Sequence, residues 1–83
     1  MASVWVTFPI AGTWPTPAEL AARNAVTDAL TLAGIGSCTG AGGGRGEMDF
    51  SFRVTDEKTA RAAITSAMQE HMPGIEYRLR VSE

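Results

Sequence analysis

The chain has 83 residues, room for one domain and one core, at a size that removes only roughly two thirds of the unfolded surface from water. Seven Lys and Arg against nine Asp and Glu give a formal charge of −2, which excludes the overall basic field that holds nucleic acid or an anionic membrane. A single cysteine, Cys38, excludes an intrachain disulfide, and no apolar run approaches the roughly 20 residues that span a bilayer.

In residues 3–10, Val4, Val6, Phe8 and Ile10 share one parity while Trp5 and Thr7 take the other, the period of a strand with one buried face. Pro9 has no amide to donate and belongs near the strand end. The preceding start, MASVWVTFPIAG, carries no basic region ahead of its short apolar run, so a cytoplasmic location is expected.

Residues 11–16 read as a loop, with Trp14 expected to cover one end of the core. Thr16-Pro17-Ala18-Glu19 is a helix start: Thr caps, Pro fits the first helical position, and Glu reaches back to the cap amide. Pro15 and Leu20 are placed to form the accompanying apolar staple. Ala21, Ala22, Ala25, Val26, Ala29, Leu30, Leu32 and Ala33 fall on one side of this helix, opposite Arg23, Asn24, Thr27, Asp28 and Thr31. Gly34 is the expected terminator.

Glycines 34, 36, 40, 42, 43, 44 and 46 crowd the next stretch. Glycine weakens strands, so residues 35–41 predict a short edge strand, followed by a hairpin with a bulged or mobile tip. Residues 45–54 then predict a central strand, Met48, Phe50, Phe52 and Val54 inward and Glu47, Asp49, Ser51 and Arg53 outward. Thr55 or Asp56 caps a second helix, with Asp56 and Glu57 at its amino end and a buried stripe of Ala60, Ala63, Ile64, Ala67 and Met68. Pro73 and Gly74 stop it. Residues 75–82 predict a last strand, Ile75, Tyr77, Leu79 and Val81 inward and Glu76, Arg78 and Arg80 outward.

Strand, helix, strand, strand, helix, strand with right-handed crossovers predicts an α+β sandwich: an antiparallel sheet in the order 4-1-3-2 with both helices on one face. In this the chain resembles the ferredoxin-like βαββαβ superfold over its whole length. The resemblance is one of architecture, and architecture alone carries no function.

That arrangement leaves one sheet face uncovered. Trp5, Thr7, Asp49, Ser51, Arg53, Arg78 and Arg80 form it together with Glu76, and an exposed Trp among arginines has the composition of an interface hot spot. RNA recognition is argued against, because Glu47 and Asp49 hold the positions where RNA-recognition domains of this topology carry stacking aromatics. A phosphate loop is argued against because the glycines precede a strand and no G-x-x-x-x-G-K-[ST] run occurs. Cys38 and His71 are each solitary, without C-x-x-C or H-x-x-x-H spacing, so no metal site or other cofactor is expected. Cys38 reads as a semi-buried structural thiol, and His71 as a residue that complements the carboxyl end of its helix.

The expectation is a non-enzymatic interaction module, of the kind found among small accessory or immunity-type proteins. It would self-associate or bind a protein partner through the open face or through the glycine-rich edge and hairpin (Cys38, Gly40, Gly42, Gly43, Gly44 and Arg45). The competing expectation is a ligand-binding or catalytic domain that holds a small anionic molecule near Trp5 and the arginines.

Overall fold

Alternation, capping and glycine placement generate six elements in the computed structural model, which describes residues 2–82. They are β1 (Ala2–Pro9), α1 (Pro17–Leu32), β2 (Gly36–Gly44), β3 (Glu47–Val54), α2 (Glu57–His71) and β4 (Arg78–Ser82). The sheet runs β2-β3-β1-β4 and every neighbouring pair is antiparallel, the expected α+β βαββαβ sandwich.

The inward parity is the core. Val4, Val6 and Phe8 of β1 and Met48, Phe50, Phe52 and Val54 of β3 are buried, and they meet Val26 and Leu30 of α1 and Ala60, Ile64, Ala67 and Met68 of α2. Phe50 and Phe52 pack edge to face, with ring centroids 6.1 Å apart, a favoured aromatic geometry. No helix among the described residues is long and apolar enough to cross a membrane.

Both helix starts form as expected. The Thr16 side chain accepts from the Glu19 amide and the Glu19 carboxylate accepts from the Thr16 amide, with Pro17 inside the first turn. Asp56 is the cap of α2, accepting from the Thr59 amide at 3.2 Å and from the Thr59 hydroxyl. Gly34, at φ +74°, ends α1 in the left-handed conformation that glycine adopts without steric cost.

The structure departs from the sequence reading in several places. The buried stripe of α1 is narrower than expected: Ala21 and Ala33 are exposed and Leu32 is 89 % exposed. Arg23, expected outward, is instead half-buried, and its guanidinium donates to the Gly42 carbonyl of β2 at 3.2 Å. Leu20 is also exposed, and Pro15 sits against Gly43, a contact between loop and hairpin that the sequence does not show.

The glycine-rich strand is longer than expected. It pairs with β3 from Gly36 to Gly44, with one register shift between Cys38 and Gly40 that leaves Thr39 as the extra residue of a bulge. Arg45 and Gly46, at φ +56° and +79°, make a tight two-residue hairpin turn of the type whose twist matches the flanking strands. Arg45 is thus a turn residue, and β3 begins at Glu47. At the other edge β4 begins only at Arg78 and Ile75 is exposed. Tyr77, just ahead of it, donates to the Thr65 hydroxyl at 3.3 Å and so ties the approach of β4 to α2.

Candidate functional site

Pairing register sets the open face out as rows of side chains across the sheet. Ser37, Arg53, Ser3 and Ser82 form one row; Gly40, Ser51, Trp5 and Arg80 the next; Gly42, Asp49, Thr7 and Arg78 the third; Gly44, Glu47 and Pro9 the last. The strands therefore bring together seven of the eight residues expected on this face; Glu76 is the exception, because β4 begins only at Arg78 and leaves it ahead of the paired register. Chemistry is graded across the rows: β4 carries cations, the first half of β3 carries Asp49 and Glu47, and β2 contributes only glycine to the last three rows.

Trp5 stands near the centre, and it is half-buried, not exposed as expected. The reason is Arg80, directly across the β1–β4 pair, whose guanidinium lies 5.4 Å from the indole centroid in a cation–π contact. Arg78 reaches over β1 to Glu47 at 2.6 Å, both side chains remaining largely exposed. Ser51 and Thr39 share a hydroxyl–hydroxyl bond of 2.9 Å. Asp49 and Arg53 make no ion pair among the described residues.

Two shallow concavities lie along the β1–β4 side of the face, sharing Thr7 and Arg78. One, of about 230 Å³, is lined by Trp5, Thr7, Arg78 and Arg80. The other, of about 260 Å³, lies between the end of β1 and Glu47, Glu76, Tyr77 and Arg78.

The hairpin end is built differently. Residues of the β1–α1 loop lean on the β2–β3 turn, with Ile10 N–H donating to the Gly46 carbonyl at 2.9 Å and Gly46 N–H donating to the Thr13 carbonyl at 3.1 Å. Trp14, expected over the end of the core, is 70 % exposed and rests its ring on Gly44, where a Cβ would come within 2.8 Å of it. A concavity of about 350 Å³ results, lined by Trp14, Gly43, Gly44, Arg45, Glu47 and Asp49. Sequence periodicity cannot find this site, because Trp14 lies in a loop without period and its partner is a backbone surface.

Cys38 is exposed, with a 3.7 Å contact from its thiol to the Gly40 carbonyl. The semi-buried thiol expected from sequence is corrected: α1 does not extend over the outer part of β2, whose Cys38 and Ala41 are both exposed. His71 occupies the last turn of α2, 3.8 Å from Glu70. Among the described residues no three His, Cys, Asp or Glu side chains gather in a way that could hold a metal ion.

Perturbed acidity is found at the two helix caps. Glu19 is held below its ordinary value first by the Thr16 amide and then by the Ala11 amide. Asp56 is held down first by the Thr59 hydroxyl and then by the Thr59 amide. These carboxylates serve helix starts, since hydrogen bonds to the charged form favour it.

Neither the family models nor the curated proteins compared with this chain give a match.

Proposed function

We propose that the chain is a non-enzymatic interaction module that self-associates through the open sheet face. The observation that carries this reading is Trp5, a large aromatic near the centre of an uncovered four-stranded face, stacked under Arg80 and ringed by Arg78, Asp49, Ser51 and Thr7. Trp and Arg are the residues whose burial contributes most at protein interfaces, and a polar surround excludes water from them. A core of this size also gains stability from anything that binds the folded state.

The geometry favours the face over the glycine-rich edge. Arg23 already occupies the Gly42 carbonyl, a bulge interrupts β2 at Thr39, and Trp14 and Pro15 lean on the hairpin. Bulges, charged side chains and covering loops are the devices that discourage edge-to-edge pairing. The exposed thiol of Cys38 suits a reducing compartment such as the cytoplasm.

Sedimentation velocity over a concentration series tests the reading. The wild-type weight-average coefficient is expected to rise with concentration, and Trp5→Ala is expected to hold it at the monomer value while leaving the circular dichroism spectrum intact. A wild-type chain that stays monomeric throughout sinks the reading.

The concavity between Trp5, Thr7, Arg78 and Arg80 favours a second reading, a site for a small anionic molecule. It requires a thermal shift with phosphate or small carboxylates that disappears in Arg80→Ala. No shift with any of them removes it.

A further inference from the structure

The open face is self-complementary in both relief and charge. Along β4, Arg78 and Arg80 project outward, whereas along β2 the corresponding positions are Gly42 and Gly40. A Cβ at Gly40 would meet only the Ser51 hydroxyl and one at Gly42 only the Asp49 carboxylate, each at 3.4 Å, so β2 is a bare track at these two positions, bounded at the Ser51 end by the Thr39 side chain. At the end of that track stand the exposed Trp14 ring and the carboxylates of Glu47 and Asp49, which outnumber the one cation of the lining, Arg45. Aromatic face, carboxylate and open backbone together suit a guanidinium, which stacks on rings and pairs with carboxylates in one plane.

We infer that this track is the seat for Arg78 and Arg80 of a second copy of the chain. The inference rests on self-association through the open face. A two-fold axis parallel to the strands, passing between β3 and β1, lays β4 of each copy over β2 of the other. Row by row, Arg80 then faces Gly40, Trp5 faces Ser51, Arg78 faces Gly42 beside Asp49, and Thr7 faces Asp49. Arg78 leaves the Glu47 of its own chain and enters the partner's concavity under Trp14, where the partner's Glu47, released by the same symmetric exchange, and the partner's Asp49, which makes no ion pair among the described residues, accept it. Facing sheets pack with their strands nearly aligned, as this axis requires.

An axis across the strands is the rival, and the same map rejects it. It sets Arg80 against Arg78, like charge on like charge, and the bare track against itself, where no side chain fills the gap. Four strands spaced about 4.8 Å apart, with 8, 9, 8 and 5 residues at about 3.4 Å each, present a face of roughly 500 Å² in projection. That lies toward the small end of specific interfaces, so the dimer is expected to be reversible and concentration-dependent.

Charge exchange between copies tests the arrangement. Arg78→Asp and Asp49→Arg, each checked for folding by circular dichroism, are sedimented alone and as an equimolar mixture. Each variant alone is expected to associate at least about tenfold more weakly than wild type, and the mixture to recover to within about threefold of it. In the mixed pair the carboxylate introduced at position 78 meets the guanidinium introduced at position 49, and the unchanged Asp49 of one copy meets the unchanged Arg78 of the other, so both contacts become attractive. Gly42→Val, which fills the track without changing charge, is expected to weaken association to a similar degree. If wild type associates but Arg78→Asp tightens or leaves it unchanged, or the mixture is no better than its components, this arrangement is overturned while self-association stands. If wild type does not associate at any concentration, self-association and the arrangement fall together.

Discussion

A methyl group at Gly36 has no space: its Cβ would sit 1.9 Å from the Arg53 carbonyl oxygen, and the residue holds φ at +156°. Both obstacles are backbone, so neither yields to a rotamer change. At Gly12 an added Cβ meets only the Trp14 carbonyl, at 3.8 Å, and no left-handed conformation is required. Gly36→Ala is therefore expected to cost about 2–4 kcal/mol, and Gly12→Ala to stay within about 0.5 kcal/mol of wild type because alanine also narrows the unfolded ensemble. Urea unfolding midpoints at constant m-value measure the difference, and equal midpoints would show that β2 is not held against Arg53 as described. Sequence displays the glycine cluster but not which glycines are obligatory. Gly36 is fixed by a close backbone approach, Gly43 and Gly44 by the rings of Pro15 and Trp14, and Gly46 by the sign of φ in a turn. Three different causes produce one compositional signal.

Elements with a strong local code are the ones the sequence states plainly. The capping box of α1 is visible in four residues, and β3 in its alternation, because each depends on near neighbours along the chain. Thr16→Ala removes the bond to the Glu19 amide and is expected to cost about 1 kcal/mol, read from the same unfolding curves. The cap also sets an acid limb. Glu19 sits below its ordinary value of 4.5 in the folded chain and Asp56 below 3.8. A carboxylate depressed by folding contributes stability that is complete above the unfolded value and is lost as pH falls through the folded one. Stability is thus expected to be level above about pH 5 and to decline below it, less steeply in Glu19→Gln than in wild type. An identical acid limb in the two proteins would show that the Glu19 bonds to Thr16 and Ala11 do not persist in solution. Where an element depends on distant parts of the chain, the sequence is silent. Arg23 reads as a solvent residue by its place on the α1 wheel, and only the position of β2 beside α1 draws it to the Gly42 carbonyl. Trp14 is equally illegible, since a ring resting on glycine leaves no pattern at either position.

At the scale of the whole molecule, burial is lopsided. β1 and β3 lie in the middle of the sheet with one face completely buried, whereas β2 is an outer strand and most of its residues are exposed. Apolar burial is what makes opening a strand costly, and β2 contributes almost none, its inner positions being Gly36, Cys38, Ala41 and Gly43. Residues 36–44 are held instead by pairing to β3, by Arg23 and by the loop on the hairpin. Amides of β2 that bond to β3 are accordingly expected to exchange with solvent at least about tenfold faster than those linking β1 to β3, through local opening that leaves the core closed. Hydrogen exchange followed residue by residue at low protein concentration measures this. Arg23→Ala should widen the gap by speeding β2 alone, since that side chain donates to the Gly42 carbonyl of β2 and to Asn24 beside it on α1, and its hydrogen bonds reach neither β1 nor β4. Equal protection across the sheet, unaffected by Arg23→Ala, would mean that β2 opens only with the whole fold. The surface that carries the bare glycine track would then be as rigid as the core, despite burying so little of itself.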